Sequence, residues 1–120
     1  MRVLLVEDNF IIALDLAGLV REAGAEPVGP VASVRDALGA IAAGGVDAAI
    51  LDINLGEEDA LEVADTLDRQ AIPFAFATGY SPQDVLPPAH AAMPVLAKPY
   101  NAAEVRQLIE TLRARRNGAG

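Results

Sequence analysis

The chain has 120 residues, 52% of them hydrophobic and 22% charged, and carries seventeen acidic against nine basic side chains for a formal charge of -8. That is enough apolar material for one folded domain and too little chain for a second, and the surplus of negative charge opposes a nucleic-acid backbone or an anionic membrane surface as ligand. With no cysteine there are no disulfides, thiol nucleophiles or thiolate metal sites, and the N-terminal apolar run meets Glu7 and Asp8 too soon for a signal peptide or membrane span. A cytoplasmic protein is expected, with residues 1–116 as the domain and 117–120, Asn-Gly-Ala-Gly, as a flexible tail.

Val3 to Val6 is a short continuous apolar run, the pattern of a strand covered on both faces. The segment after Asn9 has helical character and is apolar round most of its circumference, with polarity at Asp15, Gly18 and Glu22; this predicts the most deeply packed helix. Val28 to Val31 is a weaker strand, and Pro27 and Pro30 assign it to a sheet edge, because proline cannot donate to a ladder. Ser33, three residues before Asp36, caps a helix with the stripe Val34, Ala37, Leu38, Ile41, and Gly44-Gly45 stops it. Ala48 to Leu51 is the third strand, followed by a helical stripe at Ala60, Val63, Ala64 and Leu67. Phe74 to Ala77 is the fourth strand. A short fourth helix starts at Ser81-Pro82 and breaks at Pro87-Pro88. Pro94 opens a fifth strand, Val95 to Ala97, at the other edge. Asn101 and Glu104 begin a last helix with Val105, Leu108, Ile109 and Leu112 inward and Gly118 after its end. Five alternations of strand and helix predict an α/β fold, an open five-stranded parallel sheet of order 2-1-3-4-5 flanked by five helices.

Such a sheet binds ligands beyond the carboxyl ends of its strands. The residues there are Glu7 and Asp8, then Asp52, Thr78 and Lys98. Clustered carboxylates repel unless a cation lies among them, and an all-oxygen set suits Mg²⁺ together with phosphate oxygens. With Lys98 and the Thr78 hydroxyl on three phosphoryl oxygens and Asp52 as in-line nucleophile, the residues point to Mg²⁺-dependent phosphorylation of an aspartate. Lone aspartates near strand ends are usually caps, but the joint presence of Lys98 and Thr78 outweighs that reading. Glu57, Glu58 and Asp59 are expected to favour the next helix N-terminus, and Arg113, Arg115 and Arg116 to complement the last helix dipole. His90, the single histidine, is expected at the surface. Tyr100 is balanced between packing and partner contact.

Val-Glu-Asp-Asn after a strand, Ile-Leu-Asp-Ile-Asn-Leu, Phe-Ala-Thr-Gly-Tyr and Ala-Lys-Pro-Tyr, in that order over essentially the whole chain, resemble the receiver domain of two-component response regulators, a flavodoxin-like fold. The resemblance implies Asp52 as phosphoacceptor, Asp8 as direct Mg²⁺ ligand, Glu7 acting through metal-bound water and the Asn54 carbonyl as a further ligand. It also implies Thr78 as switch hydroxyl, Lys98 as phosphate-binding ammonium and a cis Lys98-Pro99 bond. The protein would be no enzyme beyond its own phosphorylation and dephosphorylation. Its partner would be a histidine kinase or a histidine phosphotransfer protein. Pro-Phe-Ala-Phe-Ala-Thr-Gly-Tyr resembles the FAT-GUY subgroup, often single-domain regulators paired with kinases of the HWE or related type. Two departures stand out: Val95 replaces the usual Tyr or Phe, and Leu-Gly-Glu-Glu-Asp follows Asp52 where many members have proline. The subgroup resemblance therefore gives Tyr80 part of the aromatic's role, and Gly79 lets the Thr78-to-Ala91 segment follow the switch. The alternative, an Mg-dependent aspartate-nucleophile phosphatase, needs an acid two residues after the nucleophile, where this chain has Asn54. A flavodoxin-like FMN carrier is opposed by Glu7 and Asp8, which repel phosphate from the first loop.

Overall fold

The computed structural model describes residues 1–55, 58–79, 90 and 92–118. In chain order these form β1 (Arg2–Val6), α1 (Phe10–Glu22), β2 (Glu26–Val31), α2 (Val34–Ala42), β3 (Ala48–Asp52), β4 (Asn54–Leu55), β5 (Glu58–Asp59), α3 (Leu61–Arg69), β6 (Phe74–Thr78), β7 (Val95–Ala97) and α4 (Ala102–Gly118). Five strands make one parallel sheet in the order β2-β1-β3-β6-β7, the 2-1-3-4-5 arrangement, and β4 and β5 form a separate antiparallel pair. Four helices stand among the described residues. The fourth of the five expected, from Ser81 to Pro88, lies outside them.

Side chains alternate across the sheet because the strand period is two. Val3, Leu5, Ala48, Ile50, Ala75, Ala77 and Leu96 pack with α1 and α4; Leu4, Val6, Ala49, Leu51, Phe74 and Phe76 pack with α2 and α3. With helices on both faces, β3 and β6 are buried at every position, which is why their sequences are continuous apolar runs. Both proline-marked strands are edges, as expected. Caps also sit where the sequence puts them: Ser33 Oγ accepts from the Asp36 amide at 3.1 Å, and Asn101 Oδ1 from the Glu104 amide at 2.8 Å.

Two expectations about the helices need correction. α1 is not packed all round: it buries Ala13, Leu16, Ala17 and Val20, whereas Phe10, Ile11 and Leu14 are 72%, 78% and 51% exposed. A helix laid on one sheet face has only one stripe to bury, and α1 carries more apolar residues than that stripe holds. Gly118 does not follow the last helix but lies in its final turn, where fraying makes glycine cheaper than in a helix interior.

α1 and α3 end in the same hydrogen-bonded motif with different residues at its left-handed position. After α1, Ala25 N bonds Val20 O at 3.1 Å and Gly24 N bonds Arg21 O at 3.0 Å, with Gly24 at φ 88°. After α3, Ile72 N bonds Leu67 O at 2.9 Å and Ala71 N bonds Asp68 O at 3.0 Å, but here an alanine sits at φ 56°. A Cβ in this region costs about 1–2 kcal/mol. Gly24→Ala is expected to lower stability by roughly 1 kcal/mol, whereas Ala71→Gly is expected to leave it unchanged or raise it, the relieved strain offsetting the extra unfolded-state entropy. Thermal unfolding of the two variants checks this.

Asp47, ahead of β3, ties the sheet's lower edge to α4: Oδ2 accepts from Arg2 N at 2.8 Å and Oδ1 lies 3.0 Å from Arg116 Nη2. The Arg2 amide chiefly, with the Arg116 charge adding and burial opposing, holds the Asp47 carboxyl below the ordinary aspartate value. A folded pKa below the unfolded one contributes stability above the unfolded value and loses it as pH falls through the folded one. Asp47→Ala should therefore cost stability at neutral pH and little at strongly acidic pH. The loss should stay below about 1 kcal/mol because solvent screens the pair, and denaturant titrations at the two pH values measure it.

Candidate functional site

The C-terminal edge of the sheet is fixed by backbone bonds that continue each ladder one residue beyond the strand. Glu7 N donates to Val31 O at 2.9 Å, Ile53 N to Ala77 O at 3.0 Å and Lys98 N to Thr78 O at 2.9 Å. Asp52 pairs with Ala77 and Thr78 with Ala97 in the register of β3, β6 and β7. Glu7, Asp52, Thr78 and Lys98 thus stand at the ends of adjacent strands, and Asp8 leads into α1, which Asn9 caps by accepting from the Ile12 amide at 3.1 Å.

At the centre is the Lys98 ammonium. Its Nζ lies 2.9 Å from Asp52 Oδ2, as a hydrogen bond, and 2.6 Å from Glu7 Oε1, an approach of charges without hydrogen-bond alignment. The other Glu7 oxygen accepts from the Asn9 amide at 3.1 Å. Glu7, Asp52 and Thr78 are buried, at 3%, 2% and 1% exposure, while Asp8 faces solvent. Burial first, then a hydrogen bond with Asp52, pushes Glu7 up to about 7 against the opposing pull of Lys98 and the Asn9 amide. Burial draws Lys98 down, but its close contacts with Glu7 and Asp52 and their charges together outweigh it, so the ammonium ends above the ordinary lysine value. Carboxylate oxygens of Glu7, Asp8 and Asp52 come within 4.8 Å of one another. This all-oxygen set of two buried acids and one solvent-facing acid fits a hard divalent cation that keeps part of its water shell.

The remaining candidates fall around this centre. Gly79 is exposed directly after Thr78, Val95 is half-buried and pairs with Phe76, and the Lys98-Pro99 bond is cis, as is Gly29-Pro30. The Asn54 backbone begins β4 and pairs with Asp59, two residues past Asp52. Tyr80 and Glu57 lie outside the described residues. Glu58 and Asp59, expected to favour the following helix N-terminus, directly precede its cap residue Ala60. They form β5, the cap residue Ala60 supplies no side-chain bond, and the acid in the first turn of α3 is Glu62.

Tyr100 resolves toward packing: its ring lies against the core shared by α1, α4 and the sheet. Its hydroxyl is buried without a hydrogen-bond partner among the described residues, and burial first, then the charges of Glu7, Asp52 and Asp15, pushes it well above the ordinary phenol value. Sequence reasoning placed His90 at the surface, but it is 2% exposed. Its ring packs against Phe74 and Phe76, and its Nε2 lies 3.1 Å from Asp65 Oδ1. No local pattern announces a partner 25 residues away.

The response regulator receiver domain profile matches residues 3–110, and the chain belongs to that family. Among solved structures, it is similar to SdrG from Sphingomonas melonis Fr1, at 39% identity over 94% of this chain and 96% of that one with a TM-score of 0.83. It is also similar to the BeF3-activated conformation of SdrG from Pseudomonas melonis Fr1, at 40% identity over 92% and 94% of the two chains with a TM-score of 0.80. A curated relative, the transcriptional regulatory protein PdtaR of Mycobacterium tuberculosis, is 30% identical over 112 residues, 91% of this chain. The chain spans about half the length of that relative, 55%. Among the described residues no helix is long and apolar enough to cross a membrane.

Removing the ammonium leaves two buried acids facing each other, and breaking a buried pair at one partner costs about 3–5 kcal/mol. Part of that falls away here because Lys98 is partly solvated, so Lys98→Met is expected to destabilise the metal-free protein by roughly 2 kcal/mol. Adding Glu7→Gln should recover part of the loss. Urea unfolding in excess chelator, run as a double-mutant cycle, checks both statements.

Proposed function

We propose that the protein is a phosphorylatable signalling switch that accepts a phosphoryl group on Asp52 from the phosphohistidine of a partner kinase or phosphotransfer protein. The observation that carries this reading is the placement of Lys98 Nζ at 2.9 Å from Asp52 and 2.6 Å from Glu7, with Asp8 on the solvent side of the same cluster. An Asp52 oxygen attacks phosphorus as the bond from phosphorus to the donor imidazole nitrogen breaks, and the bonding pair leaves with the imidazole. Lys98 exchanges a carboxylate oxygen for a phosphoryl oxygen, and the Thr78 hydroxyl takes another. Because these donors are held by strand ends, little reorganisation accompanies the transfer. Asp8 and Asp52 directly, the Asn54 carbonyl, and Glu7 through water would hold Mg²⁺, which when bound would supply charge neutralisation for the incoming phosphoryl group.

Beyond this automatic chemistry the protein is a binding switch and not a turnover enzyme. Its output is protein contact through the segment from Thr78 to Ala91 and the neighbouring β7 in the cytoplasm. The FAT-GUY resemblance of Pro73 to Tyr80 supports a kinase of the HWE or related type as donor. The similarity to a protein with a BeF3-activated conformation supports a phosphoryl-dependent switch.

Incubation with Mg²⁺ and a small acyl phosphate is expected to add one phosphoryl group by intact mass, and Asp52→Asn or excess chelator is expected to abolish it. Equal uptake by Asp52→Asn would overturn the site assignment. In metal titrations, Asp8→Ala is expected to weaken binding strongly and Glu7→Ala less, in keeping with direct and water-mediated roles. The reverse ranking would exchange those roles.

A further inference from the structure

His90 is a buried ionisable side chain that the phosphoryl chemistry does not use. It precedes β7 on the connection from β6, with its ring centroid 5.6 Å from that of Phe74 and 6.1 Å from that of Phe76, both at steep interplanar angles. Its Nε2 lies 3.1 Å from Asp65 Oδ1 in the middle of α3, and its Nδ1 is buried without a partner among the described residues. The neutral tautomer that donates from Nε2 satisfies Asp65 and leaves Nδ1 a bare acceptor. Alanine or phenylalanine would fill an aromatic-lined position without that cost, so the bond to Asp65 is what distinguishes histidine here.

Phe74, Phe76 and Thr78 occupy alternate positions of β6 and so share one face of the sheet. His90 touches the first two, and through Asp65 it reaches a helix whose outer side is in water. Phe76, His90 and Asp65 thus make an unbroken series of contacts from the strand that ends in Thr78 to the surface of α3, the kind of packed and hydrogen-bonded connection that transmits a shift.

Building on the receiver reading, we infer that the His90–Asp65 hydrogen bond couples α3 to the phosphoryl state of Asp52, so that α3 is a second surface on which that state is displayed. Movement of Thr78 toward a phosphoryl group draws on the end of β6, the His90 ring follows the Phe76 it packs against, and Asp65 passes the displacement to α3. His90 and Asp65 are positioning residues in this scheme and touch no reacting atom.

The test is a titration of the full chain with Mg²⁺ and beryllofluoride, followed by the backbone amide resonances. Wild type is expected to shift at Asp52, Thr78 and Lys98 and also at residues 66–69. Asp65→Ala, at an exposed position, should keep the first set and lose the second, while Asp65→Asn, which retains the acceptor oxygen, should keep both. His90→Phe, which retains the aromatic packing, should behave as Asp65→Ala, and the double variant should lose no more than either single one. Wild-type shifts at Asp52, Thr78 and Lys98 with residues 66–69 silent, or undiminished shifts of 66–69 in Asp65→Ala, would overturn the coupling. Absence of any shift at Asp52, Thr78 and Lys98 would instead overturn the receiver reading beneath it. A purely structural bond would lower the melting temperature of Asp65→Ala and leave its shift pattern that of wild type.

Discussion

One ammonium between two buried carboxylates governs the upper edge of this molecule. Glu7 and Asp52 leave water at the ends of neighbouring strands, and two like charges in such a place are tolerable only if one is neutralised or a cation stands between them. Lys98 is that cation. Its place depends in turn on the ladder that carries β7 onto β6, since the Lys98 amide is bonded to the Thr78 carbonyl. The strand order is therefore a condition for the charge arrangement: an exchange of β6 and β7 would move the ammonium away from Asp52.

The two faces of the sheet share the supporting work unequally. α1 and α4 cover the face that carries Ile50 and Leu96, and the partly buried Tyr100 ring, next but one to Lys98 in the chain, packs against that core. On the other face the aromatic pair Phe74 and Phe76, edge-to-face at 5.5 Å, forms the bulk under α3. The first face thus supports the ammonium's backbone and the second stands beneath the Thr78 hydroxyl. A rigid scaffold below a small polar cluster is what holds donors and acceptors at fixed distances before a ligand arrives.

The strands were legible because helices on both sides demand apolar residues at every position, as in Ala48 to Leu51 and Phe74 to Ala77. The carboxylates, hydroxyl and ammonium were legible because each ends such a run. Side chains whose fate depends on distant partners were not. The apolar surface of α1 has the same composition as its buried stripe, and only the placement of a flat sheet on one side decides that Phe10, Ile11 and Leu14 stay outside. His90 is buried because Asp65 and two phenylalanines from other elements meet it, which no local pattern encodes. Local sequence likewise gives no sign of the pairing between Asn54-Leu55 and Glu58-Asp59.

The prolines of β2 limit how this molecule can associate. The Glu26 amide points inward to Met1 O, so the alternation along a strand turns the next position, Pro27, outward, where it has no N–H to offer a neighbouring chain. The opposite edge, β7, is three residues long and follows Pro94. Neither margin presents the row of free amides and carbonyls that templates strand addition. Self-association and the capture of extended peptides by extension of the five-stranded sheet are thereby disfavoured at both of its margins, which directs association toward helix surfaces and loops.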